Sequence, residues 1–99
     1  MPQAETRVKQ QTDLREPLMY KVIYINDNQT TMEFVIDSLM EHFGYSSELA
    51  EQITVDVHES GAAVVAVLPY EIAEQKGIEV TVSARAQGYP LQIKLEPDQ

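Results

Sequence analysis

Apolar positions along this chain follow two rhythms, one of period near two and one of period near 3.6, and their order predicts the fold. "MYKVIYIN", residues 19–26, is a nearly continuous run of β-branched and aromatic residues, which predicts a central strand. The pattern breaks at Asn26-Asp27-Asn28 and resumes at helical spacing with Met32, Val35, Ile36, Leu39, Met40 and Phe43. Thr30, three residues before Glu33, fits a capping box that opens this helix, and Gly44 fits its stop. A second helix is predicted from Ser46 or Ser47 to Gly61, with Leu49, Ala50, Ile53 and Val57 as its inner stripe.

"AAVVAVL", bounded by Gly61 and Pro69, predicts a second strand. Residues 70 to about 87 read as a third helix with a stripe of small residues, Ala73, Gly77, Val80 and Ala84, although Gly77, Ile78, Val80, Thr81 and Val82 are weak helix formers. "LQIKLE" alternates Leu91, Ile93 and Leu95 with Gln92, Lys94 and Glu96, the pattern of a half-buried strand. The order β-α-α-β-α-β predicts an α+β sandwich, a three-stranded sheet with three helices packed on one side.

Composition narrows the class. The chain has 99 residues, one domain's worth, and is 43% hydrophobic. Residues 1–17 are polar and aperiodic and end at Pro17, which predicts a flexible N-terminal arm ahead of a core over 18–99. The absence of cysteine excludes disulfides, zinc–thiolate sites and thiol catalysis. No apolar run approaches the ~18–20 residues that span a bilayer, and the N-terminus lacks the apolar core of a signal peptide. The expected location is the cytoplasm. Net charge is -9, with only seven Lys and Arg scattered along the chain. That argues against a nucleic-acid partner, which calls for clustered cations. It suits a cationic ligand or a basic protein surface.

The candidate chemistry sits where the first strand stops. Asn and Asp favour turns because they bond their own backbone, so Asn26, Asp27 and Asn28 read either as plain turn chemistry or as the wall of a site for a cation. Thr54, Val57 and His58 lie at i, i+3 and i+4 and share one helical face, which sets an imidazole beside an apolar floor. If the Asn26–Asn28 joint lies opposite, the result is a pocket with acceptors at its rim and apolar walls below. Otherwise His58 is a surface residue at a helix C-terminus, favoured there by the helix dipole. His42, near the end of the first helix, reads as structural. Enzyme readings fail on spacing. Ser60 and His58 are too close along one helix end to form a nucleophile–base pair with Asp56, and glycine-rich phosphate loops are absent. No second histidine stands at metal-ligand spacing, so no metal or cofactor is expected. A metal site built from His58 and Asp27 is the weakest alternative, and a metal titration would settle it.

"MYKVIYINDNQTTMEFVIDSL", a helix ending "VHESG", then "YEIAEQK" and "GYPLQIKLE" together resemble the ClpS family of Clp protease adaptors, without gaps from about Pro17 to Glu96. The resemblance implies an adaptor, not an enzyme, that binds the N-terminal degron residue of substrates under the N-end rule. It would deliver them to the N-terminal domain of a ClpA-like AAA+ unfoldase and its peptidase. The family's ligands begin with Leu, Phe, Tyr or Trp. Its α-amino-binding positions fall on Asn26, Asn28 and His58, with Asp27 beside them, and a neutral imidazole would accept from the ammonium. Its side-chain pocket falls on Thr30, Met32, Val35, Thr54, Val57 and Leu91, and its unfoldase contacts fall on Glu71 and Lys76.

Three departures bear on that expectation. Family members read Asn-Asp-Asp where this chain has Asn26-Asp27-Asn28, so the carboxylate that meets the ammonium is an amide here. Thr54 stands where the family often has Met, which widens the pocket or makes it more polar. Thr31 replaces the family's Pro after Thr30 and is expected to loosen the helix start. The alternative function, from another class, is an unfoldase-docking regulatory module with lost or altered N-degron recognition.

Overall fold

In a computed structural model, described over residues 18–99, the chain forms β1 (Met19–Ile25), α1 (Met32–Phe43), α2 (Ser47–Ser60), β2 (Ala62–Pro69), α3 (Tyr70–Ala86) and β3 (Gln92–Pro97). The arm expected over 1–17 lies outside the described residues. The sheet order is β2-β1-β3, all antiparallel, so β1 is the central strand, as its sequence predicts. Tyr24 of β1 faces Ala63 of β2 and Ile93 of β3, and Val22 faces Ala66 and Leu95. Val22 and Tyr24 are fully buried beneath the helices, while Met19, Lys21, Ile23 and Ile25 turn to the other, more exposed face. Between Val22 and Ile23 the pairing slips by one, and the extra residue of β2, Val65, is buried in the core.

The helices keep their expected inner faces. Leu39, Ala50 and Val57 are buried, as are Ala73, Val80 and Ala84 of the small-residue stripe. α3 runs unbroken through its weak helix formers. The reason is tertiary: Gly77 packs against β3, where a Cβ at that position would sit 3.7 Å from the Ile93 side chain. Polar groups within the core are paired. Ser38 gives its only hydroxyl proton to the Val35 carbonyl (2.8 Å), so the buried Tyr24 hydroxyl is the donor in its 2.8 Å bond to Ser38 Oγ. Burial pushes the Tyr24 phenol far above its usual value.

The start of α1 corrects one expectation. The N-cap is Thr31, whose Oγ1 accepts from the Phe34 N–H at 3.1 Å, and not Thr30. Thr30, one residue earlier, turns its N–H and hydroxyl toward Asp27 instead. Thr31 therefore supplies a cap that a proline there lacks, so the helix start is secured and not loosened. α2 is capped by Ser46, and Gly44 and Gly61 close the two helices in the left-handed region.

Candidate functional site

The site grows from the way β1 ends. The Asn26 N–H leaves the strand ladder and donates to the Gly61 carbonyl at 2.9 Å, while the Gly61 N–H donates to the Val57 carbonyl at 3.0 Å. With φ of +86°, Gly61 turns the chain out of α2 in a conformation that other residues resist. These two bonds hold the last turn of α2, with Val57 and His58, against the strand end.

The following turn is organised by Asp27. Its Oδ1 accepts from the backbone N–H of Gln29 (2.8 Å) and of Thr30 (2.7 Å), and its Oδ2 accepts from the Thr30 hydroxyl (2.8 Å). Partial burial raises its pKa, but the Thr30 and Gln29 hydrogen bonds, helped by the Arg85 charge, outweigh it and hold the carboxyl below the usual range. Asp27 is thus an ionised residue whose oxygens are engaged in building the turn. Asn26 and Asn28 are exposed and make no side-chain hydrogen bond among the described residues. Their amides are open to a ligand.

Asn26, Asp27, Asn28, Thr30, Met32, Val35, Thr54, Val57 and His58 line one cavity of about 280 Å³. Every residue that the sequence placed in the pocket is there except Leu91. Val35 and Val57 are buried in its floor, and Met32, 43% exposed, stands at its edge. Thr54 is buried too, with its hydroxyl donating to the Ala50 carbonyl at 2.7 Å. The proton of Thr54 is therefore spent within its own helix. The site offers carbonyl and imidazole acceptors and one carboxylate at its rim over an apolar floor, a combination suited to a ligand with a cationic head and an apolar body.

Leu91 is corrected. It is 1% exposed, belongs to the core cluster, and borders a separate depression with Ile25, Thr81 and Arg85. It precedes β3 by one residue, and the Arg85 guanidinium fixes it there by donating to the Leu91 carbonyl at 2.8 Å and to that of Tyr89 at 2.9 Å. Glu71 and Lys76 lie outside the pocket on α3, Glu71 exposed in the first turn and Lys76 with its Nζ 4.0 Å from Glu79. Five positions apart, they point about 140° away from each other around the helix. His42 has a structural partner, Glu79, at 3.3 Å. Of the two readings that the sequence left open for the Asn26–Asn28 joint, turn chemistry is the one Asp27 shows. Its two-residue and three-residue separations from Gln29 and Thr30 were the available signal of an Asx-type turn.

A small α+β sandwich carrying one acceptor-rimmed apolar pocket at a strand end is the architecture of a binding module. The family model for ATP-dependent Clp protease adaptor protein ClpS matches residues 15–94. The ClpS adapter of Campylobacter jejuni (strain 81-176) is 41% identical over 94 residues, covering 95% of this chain and 98% of the relative. That of Sodalis glossinidius is 46% identical over 93 residues, covering 94% and 86%. Among solved structures, Agrobacterium tumefaciens ClpS2 bound to L-phenylalaninamide superposes with a TM-score of 0.81 at 36% identity, over 84% of this chain and all of that one. The chain belongs to the ClpS family, adaptors of the Clp protease, and not to an enzyme family. None of its described helices is long and apolar enough to cross a membrane.

Proposed function

We propose that this adaptor binds the N-terminal residue of protein substrates, of the Leu, Phe, Tyr or Trp type, and delivers them in the cytoplasm to a ClpA-like AAA+ unfoldase. The observation that carries this reading is the single cavity joining Asn26, Asn28 and His58 to Val35, Thr54 and Val57. A free α-amino group is mostly an ammonium at neutral pH, with three donors for three acceptors. Phenylalaninamide, the molecule in the A. tumefaciens relative, pairs a free α-amino group with an amidated carboxyl, as the first residue of a chain does. Burying a Leu or Phe side chain contributes about 1.5–3 kcal/mol, and each charge-assisted bond contributes about 1.5–3 kcal/mol. Association offsets a large part of this gain, and the expected affinity is in the micromolar range. Glu71 and Lys76 on α3 are proposed to contact the N-terminal domain of the unfoldase.

A second reading has its own support: Asn28 brings no charge to the rim, and the oxygens of Asp27 are engaged by the turn. On that reading the protein docks on the unfoldase without recognising termini. Fluorescence anisotropy with peptides beginning Leu, Phe, Tyr, Trp or Ile, free and acetylated, separates the two. Micromolar binding that acetylation abolishes supports terminal-residue recognition. No binding to any free terminus leaves the docking module, to be tested by Glu71→Ala and Lys76→Ala against the unfoldase domain.

A further inference from the structure

Among the described residues β3 is an edge strand, and a groove of about 260 Å³ runs between it and α3. Ile78 and Val82 of α3 line the groove with Ile93 and Leu95 of β3, and Glu74 borders it. Ile78 and Val82 are 57% and 63% exposed, more than any other large apolar side chain in the described helices and strands. One exposed apolar residue is ordinary, whereas two placed one turn apart beside an open strand edge mark a surface suited to a partner. The Asp98 N–H donates to the Met19 carbonyl at 2.9 Å, which sets the phase of the β1–β3 ladder. With Lys21 opposite Glu96 and Ile23 opposite Lys94, the backbone groups of Lys94 and Glu96 point at β1, and those of Ile93 and Leu95 point away from the sheet. The Ile93 and Leu95 side chains lie on the helix side with Tyr24 and Val22, so Lys94 and Glu96 stand on the open side.

We infer that the outer edge of β3 pairs with β3 of a second copy of this chain, antiparallel about a twofold axis through Leu95, to give one continuous sheet. Leu95 then exchanges backbone hydrogen bonds with its counterpart, and the Ile93 N–H donates to the Pro97 carbonyl of the second copy, a pairing that asks no proton of the proline. Charge selects this register. It sets Lys94 of each copy against Glu96 of the other, whereas the two neighbouring registers set Lys94 against Lys94 or Glu96 against Glu96. Edge charges usually block strand pairing, but these two have opposite signs and stand two residues apart, so one register makes partners of them. β2, the other edge, carries no charge that would choose a register. On the helix side, the same twofold brings Ile78 and Val82 of both α3 helices together above the joint. The net charge of -9 on each copy opposes association, so the dimer forms only at high concentration. None of the groove residues lines the terminal-residue pocket, which stays open in the pair.

The test is sedimentation equilibrium of the full chain from about 10 μM to about 1 mM, a range that detects even millimolar association. The mass is expected to rise from 11.2 kDa toward twice that value. Lys94→Glu and Glu96→Lys, each alone, replace two attractive pairs by repulsive ones and should weaken the dimer about tenfold, since each exposed pair is worth roughly 1.5- to 5-fold. An equimolar mixture of the two variants restores opposite charges across the joint and should associate as the wild type does. Ile78→Glu/Val82→Glu should leave the chain monomeric with an unchanged circular dichroism spectrum. Because both side chains are exposed in the single copy, this variant tests the joint independently if a charge variant folds poorly. A wild-type mass that stays at the single-copy value overturns the inference. So does a mixture that associates no better than either charge variant alone, or an Ile78/Val82 variant that dimerises like the wild type, which would place the contact elsewhere.

Discussion

Replacing Asn28 with aspartate changes the rim of the pocket by one formal charge at an exposed position and leaves the core untouched. The wild-type amide accepts from an ammonium through its carbonyl alone. The ammonium already makes that bond charge-assisted, and a carboxylate adds the charge of the acceptor, a gain of up to about 1 kcal/mol for an exposed pair. Exposure to solvent screens part of that gain, leaving about 0.5–1 kcal/mol, or a two- to fivefold lower Kd. Asp27 limits the gain from the other side, since its ionised carboxylate already lines the cavity and repels a second one. The assay is anisotropy of a labelled Phe-initiated peptide, free and N-acetylated, in low and high salt. Asn28→Asp should tighten the free peptide alone, and salt should erode the difference. The reasoning is refuted if affinity for the free peptide is unchanged, or if the acetylated peptide gains equally, because then the amide at position 28 does not face the ammonium.

Three further outcomes follow from the packing. Leu91→Ala removes a core side chain and should cost about 2–5 kcal/mol by chemical denaturation, while the folded fraction keeps its peptide affinity; an affinity loss with little destabilisation would return Leu91 to the pocket. Asp27→Asn should destabilise the domain by about 1 kcal/mol at pH 7 through the weakened turn. Because the folded pKa of Asp27 lies below its unfolded value, that contribution is present above about pH 4 and disappears as pH falls through the folded pKa. The wild-type and variant stabilities should therefore converge as pH falls through the folded pKa, and a constant gap would show that charge plays no part. Gly77→Ala places a methyl group at ordinary contact distance, 3.7 Å, from Ile93 and removes a glycine from a helix interior. It should raise stability by about 0.5–1 kcal/mol; a loss of stability would mean that α3 cannot accommodate even that contact.

How far the sequence reaches can be judged from particular residues. The strand over "MYKVIYIN" and the helix stripes were readable because burial imposes a period on local sequence, and the stripes persist as buried faces in Leu39, Ala50, Val57 and Ala73. The small-residue stripe of α3 was readable even though its helix propensity is poor. Its support against β3 was not, because Gly77 meets Ile93 across a sequence gap that no local window contains. The family motif located the pocket residues, and the structure gathers all but one of them around a single cavity.

By itself, then, the sequence determined the order of elements, the central place of β1 and the two segments that face each other across the pocket. The tertiary structure decided three things. It gave the helix cap to Thr31, while Asp27 ties Thr30 into the preceding turn. It drew Leu91 into the core because Arg85 clamps the backbone beside it. It opened an acidic-edged groove next to the pocket by setting α1 beside α2. In each case several partners compete for one donor, one side chain or one face. The periodicity of a segment records that it is buried, whereas the winner of such a competition is fixed by distances between parts of the chain far apart in sequence.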